Sequence, residues 1–366
     1  MLIEQFHYAT TPKYNFPQSL DNMQLPQRFI ELSLRSMKKT NGECFLPHDI
    51  TSYEPAKESS EDITLDFPHP NSFTLRPIPL KPLSDETTVV AVDVSSIKVG
   101  ETQIGVLCAL RGAIVWREKS RYRCLRLGPF PFHLTEENKK EIYHMLRQCY
   151  FKVSEETNAP NLINMQNRMC NLLERWLQMG VSCSSNRSVI LWDGSLTAGT
   201  VDSPVNVVSR LLKVARNRLN TVLAFSKMTR LRLSGHRLTD LAWKSRPPSL
   251  LQINGGFPAC VSSKVRFLGD IYVARLTGGS CSFRLDIDRE VPWEQGLEAV
   301  QRLLGNDLLL QSYPETLRLA HIFSTFTANE VIGIQRFMAQ KCGLKMVTRP
   351  NVRRLLFGSF GKGSEG

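Results

Sequence analysis

Val189-Ile190-Leu191-Trp192-Asp193-Gly194-Ser195-Leu196 carries the central topological signal, because a short apolar run ends in a carboxylate and turns at once through Gly-Ser. A second copy of the arrangement lies upstream, where Val89-Val90-Ala91-Val92 leads into Asp93-Val94-Ser95-Ser96. An aspartate after a strand commonly starts a turn or caps the next helix, so neither acid alone implies chemistry. Two such acids, each carried by a buried-type strand within one ordered α/β unit, point to a shared metal.

The segments between and around the acids set the topology. The pattern predicts strands at 88–92, at 103–116 with a break at Gly112, and at 119–127, and the short links favour antiparallel pairing. Helices follow at 135–151 and 160–179, the second with Leu162, Met165, Met169, Leu172, Leu173 and Trp176 at helical spacing. Next come a strand at 188–192, a helix with Ser203 as N-cap and Pro204 in its first turn, and a strand at 221–225. Three antiparallel strands, helices, strand, helix, strand is the plan of the ribonuclease H-like fold. In that plan the first and fourth strands lie side by side, which are the positions of Asp93 and Asp193. A hairpin is predicted from 270–276 and 281–287 around Gly278-Gly279, with C-terminal helices at 293–304, 314–324 and 328–341. The expected class is therefore α/β, a ribonuclease H-like core with a mixed sheet.

Residues 1 to about 85 read as an N-terminal extension. A helix over 26–39 carries Phe29, Ile30, Leu32 and Leu34, whereas Ser59-Ser60-Glu61-Asp62 and Pro68, Pro70, Pro77, Pro79 and Pro82 indicate extended or irregular chain.

Composition narrows the partners. The chain has 366 residues, enough for a sizeable core, with 42% hydrophobic and 22% charged residues. Its formal charge of +12, from 46 Lys and Arg against 34 Asp and Glu, favours polyanions such as nucleic acid or an acidic membrane surface. Between Ser209 and Pro247 lie Arg210, Lys213, Arg216, Arg218, Lys227, Arg230, Arg232, Arg237, Lys244 and Arg246, with Asp240 as the only acid. Such runs are usually solvated faces. This one begins beside the proposed site, and its bias favours sequence-tolerant phosphate contacts with DNA, for which Arg210, Lys213, Arg230, Arg232 and Arg237 are selected. The nine cysteines are scattered, with no Cys-x-x-Cys pair and no zinc spacing, and read as reduced thiols of an intracellular protein. Neither a signal core nor an uninterrupted membrane-length apolar stretch occurs, so a cytoplasmic protein without a membrane partner is expected. The absence of a Gly-x-x-x-x-Gly-Lys-Ser/Thr loop argues against ATP hydrolysis, and the absence of a Gly-x-Ser-x-Gly elbow argues against a serine nucleophile.

Glu174 offers a third acid, on the helix before the Asp193 strand, with Cys170 and Leu177 as same-side neighbours. Its spacing fits an exposed glutamate paired with Arg175 or Arg168 at least as well. Three converging carboxylates without cysteine suit a hard cation, Mn²⁺ or Mg²⁺, and two ions where enough carboxylates are present. The expected chemistry is phosphodiester cleavage with metal-activated water as the nucleophile. Lys227, at the end of the fifth strand, is equally suited to a phosphate or carboxylate contact and to an ordinary surface role. Asp286 and Asp288 share a strand face with Arg284, which an ion-pair ladder explains.

The chain resembles the NurA nucleases, which partner the HerA hexameric ATPase. The resemblance rests on Asp93 with Ser95-Ser96, Glu174 before Asp193-Gly194-Ser195-Leu196, Ser226-Lys227, Tyr272-Val273-Ala274-Arg275, and Tyr313-Pro314-Glu315-Thr316-Leu317-Arg318-Leu319-Ala320-His321. These landmarks follow the family's order and make 86–360 a NurA-like nuclease domain. The resemblance implies a Mn²⁺-dependent deoxyribonuclease acting on DNA ends in recombination and double-strand-break repair, working as a homodimer with a HerA-like translocase. It also implies that Asp93, Glu174 and Asp193 hold metal, that His321 completes or flanks the metal shell, and that Tyr272 lines the site. The first acid departs from the family's Asp-Gly-Ser: Val94 replaces the glycine, and valine resists a positive φ. The alternative reading is a non-catalytic DNA-end-binding or scaffold subunit of the same fold. A third is another ribonuclease H-like enzyme, an RNA-directed nuclease or a transposase-type strand transferase.

Overall fold

The computed structural model describes residues 3–7, 27–48, 65–67, 75–151, 158–242, 245–253, 257, 261–262, 264–347 and 356. Pro26, Ser59-Ser60-Glu61-Asp62, Pro68, Pro70 and Lys244 from the sequence reading lie outside them. Strands β1 (Val89–Glu101), β2 (Gly105–Glu118) and β3 (Arg121–Thr135) form an antiparallel meander. Helices α1 (Lys139–Phe151) and α2 (Leu162–Ser184) lead to β4 (Val189–Asp193), and α3 (Val205–Asn217) connects β4 to β5 (Thr221–Ser226). The sheet order is β3-β2-β1-β4-β5, with β1 to β4 and β4 to β5 parallel. That order and those directions define the ribonuclease H-like core.

Beyond β5, the hairpin of β6 (Gly269–Arg275) and β7 (Phe283–Asp288) joins through β7, antiparallel to β5. Strands Ser249–Ile253 and Leu75–Pro79 complete that side, and Ile3–His7 pairs parallel to β3 at the other edge. Helices α4 (Trp293–Asn306), α5 (Glu315–Ser324) and α6 (Ala328–Lys341) follow, and after them Lys345–Met346 pairs parallel to Cys44–Pro47.

The central strands read as unbroken apolar runs because both faces are covered. Val90, Val92, Ile190 and Trp192 pack under α1, α2 and α3 together with Phe29 and Leu32 of the helix Gln27–Lys38. Val89, Ala91, Val189 and Leu191 point the other way, onto Val300 and Leu303 of α4 and Leu317 and Ala320 of α5. A third cluster, with Ile97, Val99, Leu107, Val331 and Met338, docks α6 on the far half of the β1–β2 ribbon.

Three local expectations differ from the structure. β1 does not end at residue 92 but continues through Asp93 to Glu101, because β2 keeps pairing with it as far as Val106 after β4 has stopped. Ser203 is not the N-cap of α3: the cap position is Pro204, without a side-chain bond, and the Ser203 hydroxyl instead accepts from Arg175 Nε at 3.2 Å. Gly112 marks a register shift between β2 and β3 rather than a break. A Cβ there would lie 2.6 Å from Leu177 Cδ1, so the glycine lets α2 approach the sheet.

Candidate functional site

Strand parity brings the acids together. Val92 pairs with Trp192 as the last rung of the parallel β1–β4 ladder, and Asp93 and Asp193 follow one residue later on their strands. Alternation places both side chains on the face of Val89, Ala91, Val189 and Leu191, which is the face covered by α5. Helix α5 carries His321. One ligand atom from each of Asp93, Asp193 and His321 lies within 4.8 Å of the others.

Each group is held by its surroundings. Asp93, only 8% exposed, accepts at Oδ2 from the Ser324 hydroxyl and from His321 Nδ1, the latter at 3.3 Å. Asp193 Oδ2 receives Lys227 Nζ at 2.7 Å, and that ammonium also lies 5.7 Å from the Tyr313 ring centroid. After Asp193 the chain turns at Gly194, whose φ of +106° is open to glycine at little cost. Gly194 N donates to Phe225 O at 2.8 Å and the Ser226 hydroxyl donates to Gly194 O at 2.9 Å, which ties the ends of β4 and β5 together. Leu196 N donates at 2.9 Å to Asp286 Oδ2, and Asp286 is itself gripped by Arg284, both residues being fully buried. The expected Arg284–Asp286 pairing is thus present and anchors the loop after Asp193. Asp288 pairs with Arg216 instead.

The donor set fits a hard divalent cation. It consists of two carboxylates and an imidazole, without sulfur. The Lys227 ammonium already faces Asp193, and His321 Nδ1 faces Asp93. The hydrogen bond to Asp93 raises the His321 pKa against the opposing effect of burial, the negative charges of Asp93 and Asp193 add to the rise, and Lys227 works against it. Cys170 lies nearby, but burial pushes its thiol up to about 12, so it is protonated and unsuited to ligation near neutral pH.

The remaining residues selected from the sequence divide. Glu174 is not in the three-residue cluster. It belongs to α2, on the opposite face of the sheet, where its Oε1 accepts from Gln178 Nε2 at 2.8 Å. Its charge and that of Asp93 both raise the pKa of the Cys170 thiol, after the larger effect of burial. Tyr272 is 5% exposed on β6, with its ring 5.5 Å from that of Trp293, and contributes to the core rather than to the cluster. Val94 continues β1 opposite Gly112 and is not among the described residues with positive φ, so the departure from Asp-Gly-Ser is absorbed by a regular strand.

No protein-family model matches the chain, and no curated protein matches it. Solved nucleases do. The NurA nuclease of Sulfolobus solfataricus is 17% identical, covering 72% of this chain and 87% of its own, with a TM-score of 0.48. Endonuclease V of Bacillus subtilis is 8% identical over 72% of this chain and 88% of its own, with a TM-score of 0.31. Endonuclease V of Ciona intestinalis, solved with a 24mer DNA containing an inosine followed by a ribo-adenosine, is 11% identical over 69% and 89%, with a TM-score of 0.30.

Arg210 and Lys213 lie on the exposed side of α3. Arg230, Arg232 and Arg237 are exposed around the small hairpin Leu231–Leu233 and His236–Arg237, in which Arg232 and Arg237 are cross-strand partners. Arg216 and Arg218 have structural roles instead, Arg216 with Asp288 and Glu290 and Arg218 with Ser185 O. Ser324 was not singled out in the sequence. Its spacing of three residues from His321, on one face of a helix, was the available signal. No described helix is long and apolar enough to cross a membrane.

Proposed function

We propose that this chain is a metal-dependent DNA nuclease of NurA type, with residues 86–360 as its nuclease domain. The supporting observation is the convergence of Asp93, Asp193 and His321 on one face of a ribonuclease H-like sheet, with ligand atoms within 4.8 Å of one another. Asp93, Asp193 and His321 would hold Mn²⁺ or Mg²⁺, and Glu174 would extend the set from the opposite layer to serve a second ion. When bound, such an ion polarises a phosphate, lowers the pKa of a water and offsets charge on the leaving oxygen.

The chain's own residues orient the substrate. Lys227, seated on Asp193, would exchange that carboxylate for a phosphate oxygen. The exposed Arg210, Lys213, Arg230, Arg232 and Arg237 supply backbone contacts. The Arg232–Arg237 pairing sets like charges opposite each other, an arrangement that favours an anion between them. In this reading the protein is cytoplasmic, acts on DNA ends during double-strand-break repair, forms a homodimer, and relies on a HerA-like ATPase for translocation.

The test is degradation of end-labelled linear DNA by the full chain with Mn²⁺, Mg²⁺ or EDTA, alongside Asp93→Ala and with or without a HerA-like ATPase. Metal-dependent digestion lost in the variant supports the nuclease. Salt-sensitive binding without digestion under any condition would shift the assignment to a DNA-end-binding scaffold.

A further inference from the structure

The end of helix α5 makes an exchange with strand β1 that the metal-site reading leaves unused. Ser324 is fully buried in the last turn of α5, and its hydroxyl reaches two acceptors: Asp93 Oδ2 and, at 3.0 Å, the carbonyl of His321. Serine near a helix end ordinarily returns its proton to such a carbonyl. Here the His321 carbonyl already accepts from Thr325 N at 3.1 Å and from the Thr325 hydroxyl at 2.7 Å, which fills both of its lone pairs. The Ser324 proton is left for Asp93, and a carboxylate is the stronger acceptor. In return Ser95, two residues beyond Asp93 on the same face of β1, donates its hydroxyl to the Ser324 carbonyl at 2.5 Å.

The consequence falls on one carboxylate. Asp93 Oδ2 takes both the Ser324 hydroxyl and His321 Nδ1, while Oδ1 accepts from none of the described residues. Two donors on a single oxygen fix the rotation of the carboxyl group and direct the other oxygen to a ligand. We propose that Ser324 is a positioning residue, which locks Asp93 so that Oδ1 is presented to a divalent cation beside Asp193 and His321. The proposal rests on the metal-dependent reading and adds to it the residue that preorganises the first acid.

Binding of Mn²⁺ to the full chain without DNA, followed by electron paramagnetic resonance of the free ion, tests this independently of cleavage. Ser324→Ala should bind Mn²⁺ about 10- to 100-fold more weakly than wild type, the usual cost of removing a partner that orients a ligand. Ser324→Thr and Ser324→Val, alike in shape and different in the hydroxyl, separate orientation from packing: the threonine variant should bind at least about tenfold more tightly than the valine variant. Ser95→Ala should lower the melting temperature and change Mn²⁺ affinity less than Ser324→Ala does. Equal affinities of the threonine and valine variants, or an alanine variant that binds like wild type, would overturn the positioning role while leaving the metal site intact. A wild-type chain that binds no Mn²⁺ would overturn the metal reading itself, and the role of Ser324 with it.

Discussion

Asp193 and Lys227 show how much chemistry depends on one charge. Replacing Asp193 with Asn removes the charge proposed to ligate the metal at almost constant volume, so cleavage should be abolished while DNA binding is retained, as measured by digestion and gel shift on the same preparation. Full activity in that variant would rule out the metal assignment. Lys227 competes for the same carboxylate, with its Nζ 2.7 Å from Asp193 Oδ2. Lys227→Met should therefore strengthen Mn²⁺ binding, by about 3- to 10-fold for a partly exposed pair, yet slow cleavage by removing the proposed phosphate contact. A variant with weaker Mn²⁺ binding would show that the lysine supports the site rather than competing for it.

Helix α6 is where an element, rather than a residue, controls stability. It starts with a full capping box, Thr327 with Glu330, and Glu330 also reaches Arg126 at 2.8 Å and Arg111 at 3.0 Å on the neighbouring strands. Arg111 in turn stacks 4.2 Å from the Phe326 ring centroid and donates to Thr325 O at 3.2 Å, so the same cluster fixes the junction between α5 and α6. Burial alone would raise the Glu330 pKa, but the Thr327 amide, Arg126 and Arg111 together bring it down to about 2. The folded-state value lies below the unfolded one, so the stabilisation is complete above pH 4.5 and is lost as the pH falls toward 2. Glu330→Gln should cost about 1–2 kcal/mol at neutral pH after allowance for partial exposure, and should flatten the acid limb. Urea unfolding at neutral pH and near pH 3 checks this, and an unaltered acid limb would remove Glu330 from the explanation.

At the scale of the molecule, the charge of +12 sets the terms on which a polyanion approaches. Charge reversal of Arg230 and Arg232 together should weaken DNA binding most at moderate ionic strength and reduce the salt slope by about one unit per lost phosphate contact. Unchanged affinity across a salt titration would reduce the hairpin to a solvated face. Much of this architecture was legible from pattern alone. The apolar runs at Val89 and Val189 identified doubly covered strands, and the helical spacing in α2 and the Gly278-Gly279 hairpin held in the structure. Strand ends were less legible, because β1 continues past Asp93 only by virtue of its pairing with β2, which no local signal in β1 encodes.

Read alone, the chain specifies only the chemical groups on offer: two acids each ending an apolar run, a basic excess, and no sulfur-rich or phosphate-cradling motif. Those properties are local, and composition and alternation with period two express them directly. Which of those groups meet is set by packing. Asp93, Asp193 and His321 converge because strand parity points both acids toward the helix that carries the imidazole, whereas Glu174 stands on the other face of the sheet and Tyr272 is enclosed against Trp293. Ser324 lies 231 residues from Asp93 along the chain, and its hydrogen bond to that acid exists only after the sheet and α5 have packed. Contacts of that range depend on how elements stack, which the spacing of residues within any one element does not specify.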